Sequence, residues 1–185
     1  VAFDYVGLDW EKHVVVDPAK ASPAARGYSP YAGRKYPARP LFGDTHHHTS
    51  NSGDAFMAGN RLSPEEAYRF ARGEEVVSST GVPAKLSRPM DFLVISDHAE
   101  GLGLMFQVYE GNPAFMQDPI LAGWNKAMKE GGKAAADAAN DVVSRQAQGT
   151  LPAVIKDPKV VGPIMKSVWQ QYTATAEKYN EPGHF

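Results

Sequence analysis

The chain has 185 residues, and its 19 basic and 21 acidic side chains give a formal charge of −2 at pH 7. This length fits one domain or part of a larger one, and the balanced charge argues against a nucleic-acid partner because no basic field would attract phosphates. Cysteine is absent, which excludes disulfides and cysteine-ligated zinc, and no apolar run approaches the ~20 residues that cross a bilayer.

The first 40 residues show no sustained hydrophobic period and are interrupted by proline. We predict an extended N-terminal arm over residues 1–40, with one short strand over residues 12–16. Its histidine, His13, is expected to have no function. Proline breaks a helix because it fixes φ and removes a backbone donor, and this segment contains Pro23, Pro30, Pro37 and Pro40.

Two apolar segments predict strands, at residues 41–44 and 90–96. The first is expected to be short and buried, and a loop rich in serine, asparagine and glycine follows over residues 49–60. The second is continuously hydrophobic, which predicts burial on both faces in a parallel sheet. The two strands and the helix between them form a predicted βαβ unit.

The helix between the strands has clear boundary signals. Ser63 is the predicted N-cap, Pro64 takes the first helical position, and Glu66 has capping-box spacing from Ser63. Gly73 is expected to end the helix, and a hairpin through Gly81 is expected before the second strand. The rest of the chain is predicted to be helical over residues 119–130, 133–148 and 163–180.

The segments 43–50 and 94–100 contain four of the six histidines. Side chains alternate along a strand, so His46 and His48 are expected to point the same way and His47 the other way. His98 would lie beside them if the two strands are neighbours. Neutral imidazole and carboxylate are ligands that suit Zn²⁺, Mn²⁺ and Fe²⁺, so the pattern favours a metal site over a solvated loop.

Nearby carboxylates extend this pattern. Asp54 follows a flexible loop and could return an oxygen ligand to the same place. Asp44 and Asp97 are expected to accept the free imidazole N–H groups, with direct ligation by one of them as the alternative. We expect a structural or outer role for His47, and His184 would contribute only if the chain continues.

These residues carry a family resemblance. Asp44, His46, His48 and Thr49 match the motif D-x-H-x-H-T, and the segment Ser96–His98 matches [TS]-D-H. Both motifs resemble those of the polymerase and histidinol phosphatase superfamily. The stretch over residues 41–105 is more narrowly similar to the DUF3604 family, and the similarity continues more weakly to the C-terminus.

The resemblance implies an α/β fold, part of a distorted (β/α)₇ barrel, with residues 41–185 as the N-terminal portion of the domain. It implies two or three divalent ions (Zn, Mn or Fe) at the strand ends. The implied ligands are His46, His48, Asp54 and His98. Later strands of the family supply further ligands that this sequence lacks, so we expect a fragment with an incomplete site.

The activity implied by the resemblance is hydrolysis of a small anionic ester, most often a phosphate ester, by a metal-bound water. Asp97 is an alternative catalytic group. Arg88 and Arg61 are candidates for binding the substrate, with a surface salt bridge as the alternative for each. Other hypotheses are hydrolysis of a sulfate ester, lactone or amide, and a non-catalytic fragment. A periplasmic or secreted location is expected, with the cytoplasm as the alternative.

Overall fold

The structure is a computed structural model that describes residues 40–181 and 185. The predicted arm, its short strand and His13 therefore lie outside the described residues, as does His184. Within the described part of the chain, no helix combines the length and the apolar character needed to cross a bilayer.

The described chain is a mixed α/β structure in which helices predominate. The strands are β1 (Gly43–His47), β2 (Val76–Val77), β3 (Pro83–Ala84) and β4 (Phe92–Ile95). The helices are α1 (Gly53–Met57), α2 (Pro64–Ala71), α3 (Leu104–Glu110), α4 (Pro113–Met116), α5 (Pro119–Glu130), α6 (Gly132–Gln148) and α7 (Pro158–Tyr179), with a 3₁₀ turn at Ala153–Lys156 before α7.

Strands β1 and β4 pair in parallel, with Gly43 opposite Phe92 and His47 opposite Ile95. The βαβ prediction is thus confirmed, and both strands end at the same edge of the sheet. A register irregularity lies between Asp44 and His47. The described strands form two separate two-stranded sheets and no closed barrel.

The predicted burial of the two strands is wrong. Leu41 and Phe42 lie before β1 and are 46% and 60% exposed, while Val94 in β4 is 48% exposed. In β4 only Ile95 is buried. A two-stranded sheet offers two faces and two edges, and the described helices cover one of those faces around Ile95, so a continuous apolar run does not ensure burial.

Helix α2 forms as predicted. The Ser63 hydroxyl accepts a hydrogen bond from the Glu66 N–H, and the Glu66 carboxylate accepts one from the Ser63 N–H, which completes the capping box. The predicted hairpin is also present, since β2 and β3 pair antiparallel around Gly81. Gly81 has φ +83°, a conformation that favours glycine.

The predicted C-terminal helices differ from the observed ones mainly at their starts, and α7 also ends one residue early, at Tyr179. Helix α5 has the predicted bounds, and α6 begins one residue early, at Gly132. Helix α7 begins at Pro158 rather than Pro163, because Asp157 caps it by accepting the Lys159 N–H. Pro163 then lies inside the helix, near its first turn.

Two apolar clusters hold these elements together. The larger joins α1, α3, α5 and α6 around Phe56, Val108 and Leu121, which are fully buried. The smaller joins α2, β4 and α7 through Tyr68, Ile95 and Tyr179. Phe56 anchors α1 and Ile95 anchors the end of β4, so the two clusters fix the segments that carry the candidate site.

Candidate metal centre

Three predicted ligands, one from each of three chain segments, meet at the C-terminal edge of the β1–β4 sheet. His48 follows β1, His98 follows β4, and Asp54 lies in the first turn of α1. One ligand atom from each residue lies within 4.8 Å of the other two. We call this group the His-Asp-His trio.

The carboxylate of Asp54 lies between the two rings. His48 Nδ1 is 3.2 Å from both Asp54 carboxylate oxygens, and His98 Nε2 is 3.4 Å from Asp54 Oδ2. The ring centroids of His48 and His98 are 4.9 Å apart. His48 is mostly buried, whereas the side chains of Asp54 and His98 are more than half exposed, so the trio can be reached from solvent.

Ser52 touches every member of the trio and is itself completely buried. Its hydroxyl donates to Asp54 Oδ1 at 2.5 Å and accepts from the His98 backbone N–H at 3.3 Å. The same oxygen is 3.1 Å from His48 Nδ1. One hydroxyl therefore fixes the relative positions of the three segments.

The surroundings of Asp54 keep it ionised. Burial alone would raise the pKa of the Asp54 carboxyl group. Hydrogen bonds from Ser52, from the Ala55 N–H and from His48, together with the charge of His48, outweigh burial and lower this pKa to about 2. The trio therefore combines one ionised carboxylate with two imidazole rings.

Asp97 holds the loop after β1 rather than joining the trio. Asp97 Oδ1 accepts the Thr49 N–H at 2.5 Å, and Oδ2 accepts the Thr49 hydroxyl at 2.6 Å. Thr49 is buried and directly follows His48. Asp97 thereby positions His48 through its neighbour, and it accepts from Thr49 rather than from an imidazole N–H as predicted.

The remaining histidines of the first motif, His46 and His47, lie outside the trio. The ring centroid of His46 is 5.0 Å from that of His48, so His46 adjoins the trio without belonging to it. His47 Nδ1 is 3.7 Å from Asp44 Oδ2, and Asp44 Oδ1 accepts the His46 N–H at 2.8 Å. The closeness of His46 and His48 agrees with the side-chain alternation expected for a strand, whereas the approach of His47 to Asp44, three positions away, departs from it at the register irregularity between these two residues.

The two candidate substrate arginines are placed elsewhere. Arg88 is 3.9 Å from Asp91 and lies over the Phe42 ring. It precedes β4 by four positions while His98 follows β4 by three, so the strand length, about 13 Å, separates it from the trio. Arg61 donates to the Phe56 carbonyl and stacks on its ring. Arg88 thus makes the surface salt bridge given as its alternative, whereas Arg61 makes a carbonyl hydrogen bond and a ring contact instead.

The donor set fits a divalent transition-metal ion. In a tetrahedral zinc site with bonds of 2.0–2.1 Å, neighbouring ligand atoms lie about 3.3 Å apart. The two imidazole-to-carboxylate distances, 3.2 and 3.4 Å, agree with that spacing. The same distances permit direct hydrogen bonds, so the trio is compatible with both a metal-free and a metal-bound form.

A cleft of about 580 Å³ opens beside the trio, with Asp54 and His98 in its wall. Its other walls come from α3, α6, the 3₁₀ turn and α7. A volume of this size is in the range of small-molecule sites, so a ligand could occupy the cleft and reach the trio at once.

The sequence predicts neither helix α1 nor a role for Ser52, and Thr49 enters only as part of the first motif. The segment 49–60 is rich in turn-forming residues, and α1 has only five residues with a glycine at its start. The sequence feature that could have indicated α1 is Ser52 directly before Gly53 and Asp54, because serine is a preferred N-cap residue. Its contacts with His48 and His98 depend on the tertiary fold and leave no local signal.

Comparison with known proteins identifies a family whose description names no activity. A family model described as "Protein of unknown function (DUF3604)" matches residues 35–185. No curated protein matches the chain, and no solved structure matches it. The family match covers most of the sequence, including both histidine motifs, and its description leaves the function to be argued from the site.

Proposed function

We propose that this chain, which belongs to the DUF3604 family, is a metal-dependent hydrolase that acts on phosphate esters. The observation that carries the proposal is the His-Asp-His trio, whose ligand atoms converge from three segments within 4.8 Å. Convergence of this kind is what a catalytic metal site needs, because the ion requires several ligands and an accessible coordination position.

The proposed metal ligands are His48, Asp54 and His98. A set of two imidazoles and one carboxylate suits Zn²⁺, Mn²⁺ or Fe²⁺. His46, whose ring adjoins that of His48, is the proposed ligand of a second ion next to the first. The superfamily resemblance supports a cluster of two or three ions.

A divalent ion held by the trio would supply an activated water at neutral pH and positive charge for the oxygens of the ester. Residues of the chain fix the charge and the geometry of the site. Asp54, with its lowered pKa, brings a fixed negative charge, and Ser52 and Asp97 hold the ligands in place through hydrogen bonds. The exposed edge formed by Asp54 and His98 admits the substrate.

The test is hydrolysis of p-nitrophenyl phosphate and bis-p-nitrophenyl phosphate by the full chain after loading with Zn²⁺ or Mn²⁺. We expect turnover that chelation abolishes. His98→Ala and Asp54→Asn should each lower kcat/KM at least 100-fold, because each removes one of three ligands. His47→Ala is the matched control, since its ring lies by Asp44 rather than in the trio.

Two results would contradict the proposal. One is phosphate ester turnover that persists in both ligand variants and in chelator. The other is a metal-loaded chain that hydrolyses p-nitrophenyl sulfate or acetate but neither phosphate ester, which would assign the site to another class of ester.

A further inference from the structure

The cleft beside the trio has a wall chemistry that indicates what it binds. Most of its lining is aliphatic or thioether in character, contributed by residues such as Leu104, Met105, Val142, Leu151 and Met165. Several of these also belong to, or pack against, the larger apolar cluster. The cleft is therefore an open continuation of the core that ends at Asp54 and His98.

The charged lining of the cleft is acidic. Apart from the trio residues Asp54 and His98, the ionisable group among the described lining residues is Glu100, and this lining includes no lysine or arginine. A polyphosphate or nucleotide placed here would lack cationic partners away from the metal site. A sugar would likewise find few hydrogen-bonding partners along walls of valine, leucine and methionine.

From this arrangement we infer that the cleft seats an uncharged apolar group of the substrate, so that the preferred ester is an alkyl or aryl phosphate. The inference rests on the proposed function, because the ester group is assigned to the trio. The apolar group would lie along α6 and α7 while the phosphate reaches Asp54 and His98. Burial of the apolar group against these walls then supplies binding free energy. A charged or polar group would gain little there, because the described walls contain no basic residue.

Alkyl phosphates of increasing length test this directly. Butyl, hexyl and octyl phosphate are titrated into the full chain by calorimetry, once metal-free and once loaded with Zn²⁺. We expect the dissociation constant to fall up to about fourfold for each added CH₂, in both forms, with tighter binding overall in the loaded form. Glycerol phosphate, which is polar, should bind more weakly than butyl phosphate.

Val143 provides a variant in the cleft that spares the core. It lines the cleft and is 59% exposed, so Val143→Asp should fold normally while placing a carboxylate against the alkyl chain. We expect at least tenfold weaker binding of octyl phosphate and a flattened dependence on chain length. Ser144→Asp is the matched control, because Ser144 is the next exposed residue on α6 and does not line the cleft.

The inference is overturned if the dissociation constants do not depend on chain length, or if Val143→Asp and Ser144→Asp change them equally. Failure of the proposed function has a different signature. It would leave the dependence on chain length intact while Zn²⁺ produced neither tighter binding nor turnover. Turnover of p-nitrophenyl phosphate without any dependence on chain length would overturn the cleft assignment alone.

Discussion

At the scale of single residues, Ser52 is the group on which the trio geometry depends. Its hydroxyl contacts Asp54, His48 and the His98 backbone, and it is completely buried. Because this hydroxyl is buried and bonded to all three segments, it fixes the distances between His48, Asp54 and His98. The exposed side chains of Asp54 and His98 would not hold these distances without it. Partners of this kind orient metal ligands and raise the affinity for the ion.

Ser52→Ala should therefore weaken metal binding without removing a ligand. We expect Zn²⁺ affinity to fall about 10–100-fold, the range seen when an outer hydrogen-bond partner is lost. The measurement is competitive titration against a chromogenic chelator. Ser50→Ala is the control, because Ser50 is buried in the same turn. Equal affinities in the native chain and Ser52→Ala would contradict this role.

Asp97 acts on stability as well as on position. Asp97→Ala would leave the buried Thr49 N–H and hydroxyl without the carboxylate that accepts from both. We expect unfolding free energy to fall by about 1–3 kcal/mol, the cost of orphaning buried donors. Urea denaturation measures this. Thr49→Val, which removes only the hydroxyl bond, should cost less, and no loss in either variant would refute the assignment.

At the scale of elements, α7 is fastened to α2 and to the end of β4. Lys178 and the Tyr179 hydroxyl both donate to Glu65 Oε1 at 2.5 Å. The Tyr172 hydroxyl donates to the Ile95 carbonyl, and burial, with the nearby charge of Asp97, raises the pKa of Tyr172. These contacts hold one wall of the cleft against the strand that leads to His98.

The Glu65 contacts predict a pH-dependent stability. The hydrogen bonds from Lys178 and then Tyr179 lower the pKa of Glu65 below its ordinary value of 4.5. A lowered carboxyl pKa contributes stability that is present above 4.5 and is lost as the pH falls through the lowered value. Glu65→Gln should therefore cost about 0.5–1 kcal/mol at pH 7, since the Lys178 and Glu65 side chains are 60% and 39% exposed, and nothing at low pH.

Chemical denaturation at pH 7 and at about pH 3 would measure this difference. Glu130→Gln is the matched control, because Glu130 is an exposed residue at the end of α5, where its negative charge gives no stabilisation. A Glu65→Gln penalty that stays constant across this pH range would contradict the assignment of the stability to the Glu65 carboxylate.

The elements that could be predicted are those with strong local signals. Ser63 and Glu66 fix the start of α2, and helical spacing gives α5 with its observed bounds. The predicted start of α7 is five residues late, although Asp157 and Pro158 carry the capping signal. Burial of β4 depends on what covers each face of the sheet, which no local pattern encodes.

At the scale of the whole molecule, parallel pairing of β1 and β4 is the feature that makes a shared site possible. It brings the histidines after both strands to one edge, as the two motifs predict. The return of Asp54 through α1 follows from tertiary packing, whereas Arg88 lies at the opposite edge because it precedes β4 in the chain. The sequence thus indicates which residues meet, whereas the hydroxyl that joins them appears only in the fold.

The metal content of the full chain, after incubation with Zn²⁺ and removal of excess, shows whether the trio binds a metal ion. We expect bound zinc in the native chain and in His47→Ala, and its loss in a His98→Ala, Asp54→Asn double variant. Both altered side chains are more than half exposed, so the variant should remain folded. Equal zinc in the double variant and the native chain would contradict metal binding by the trio.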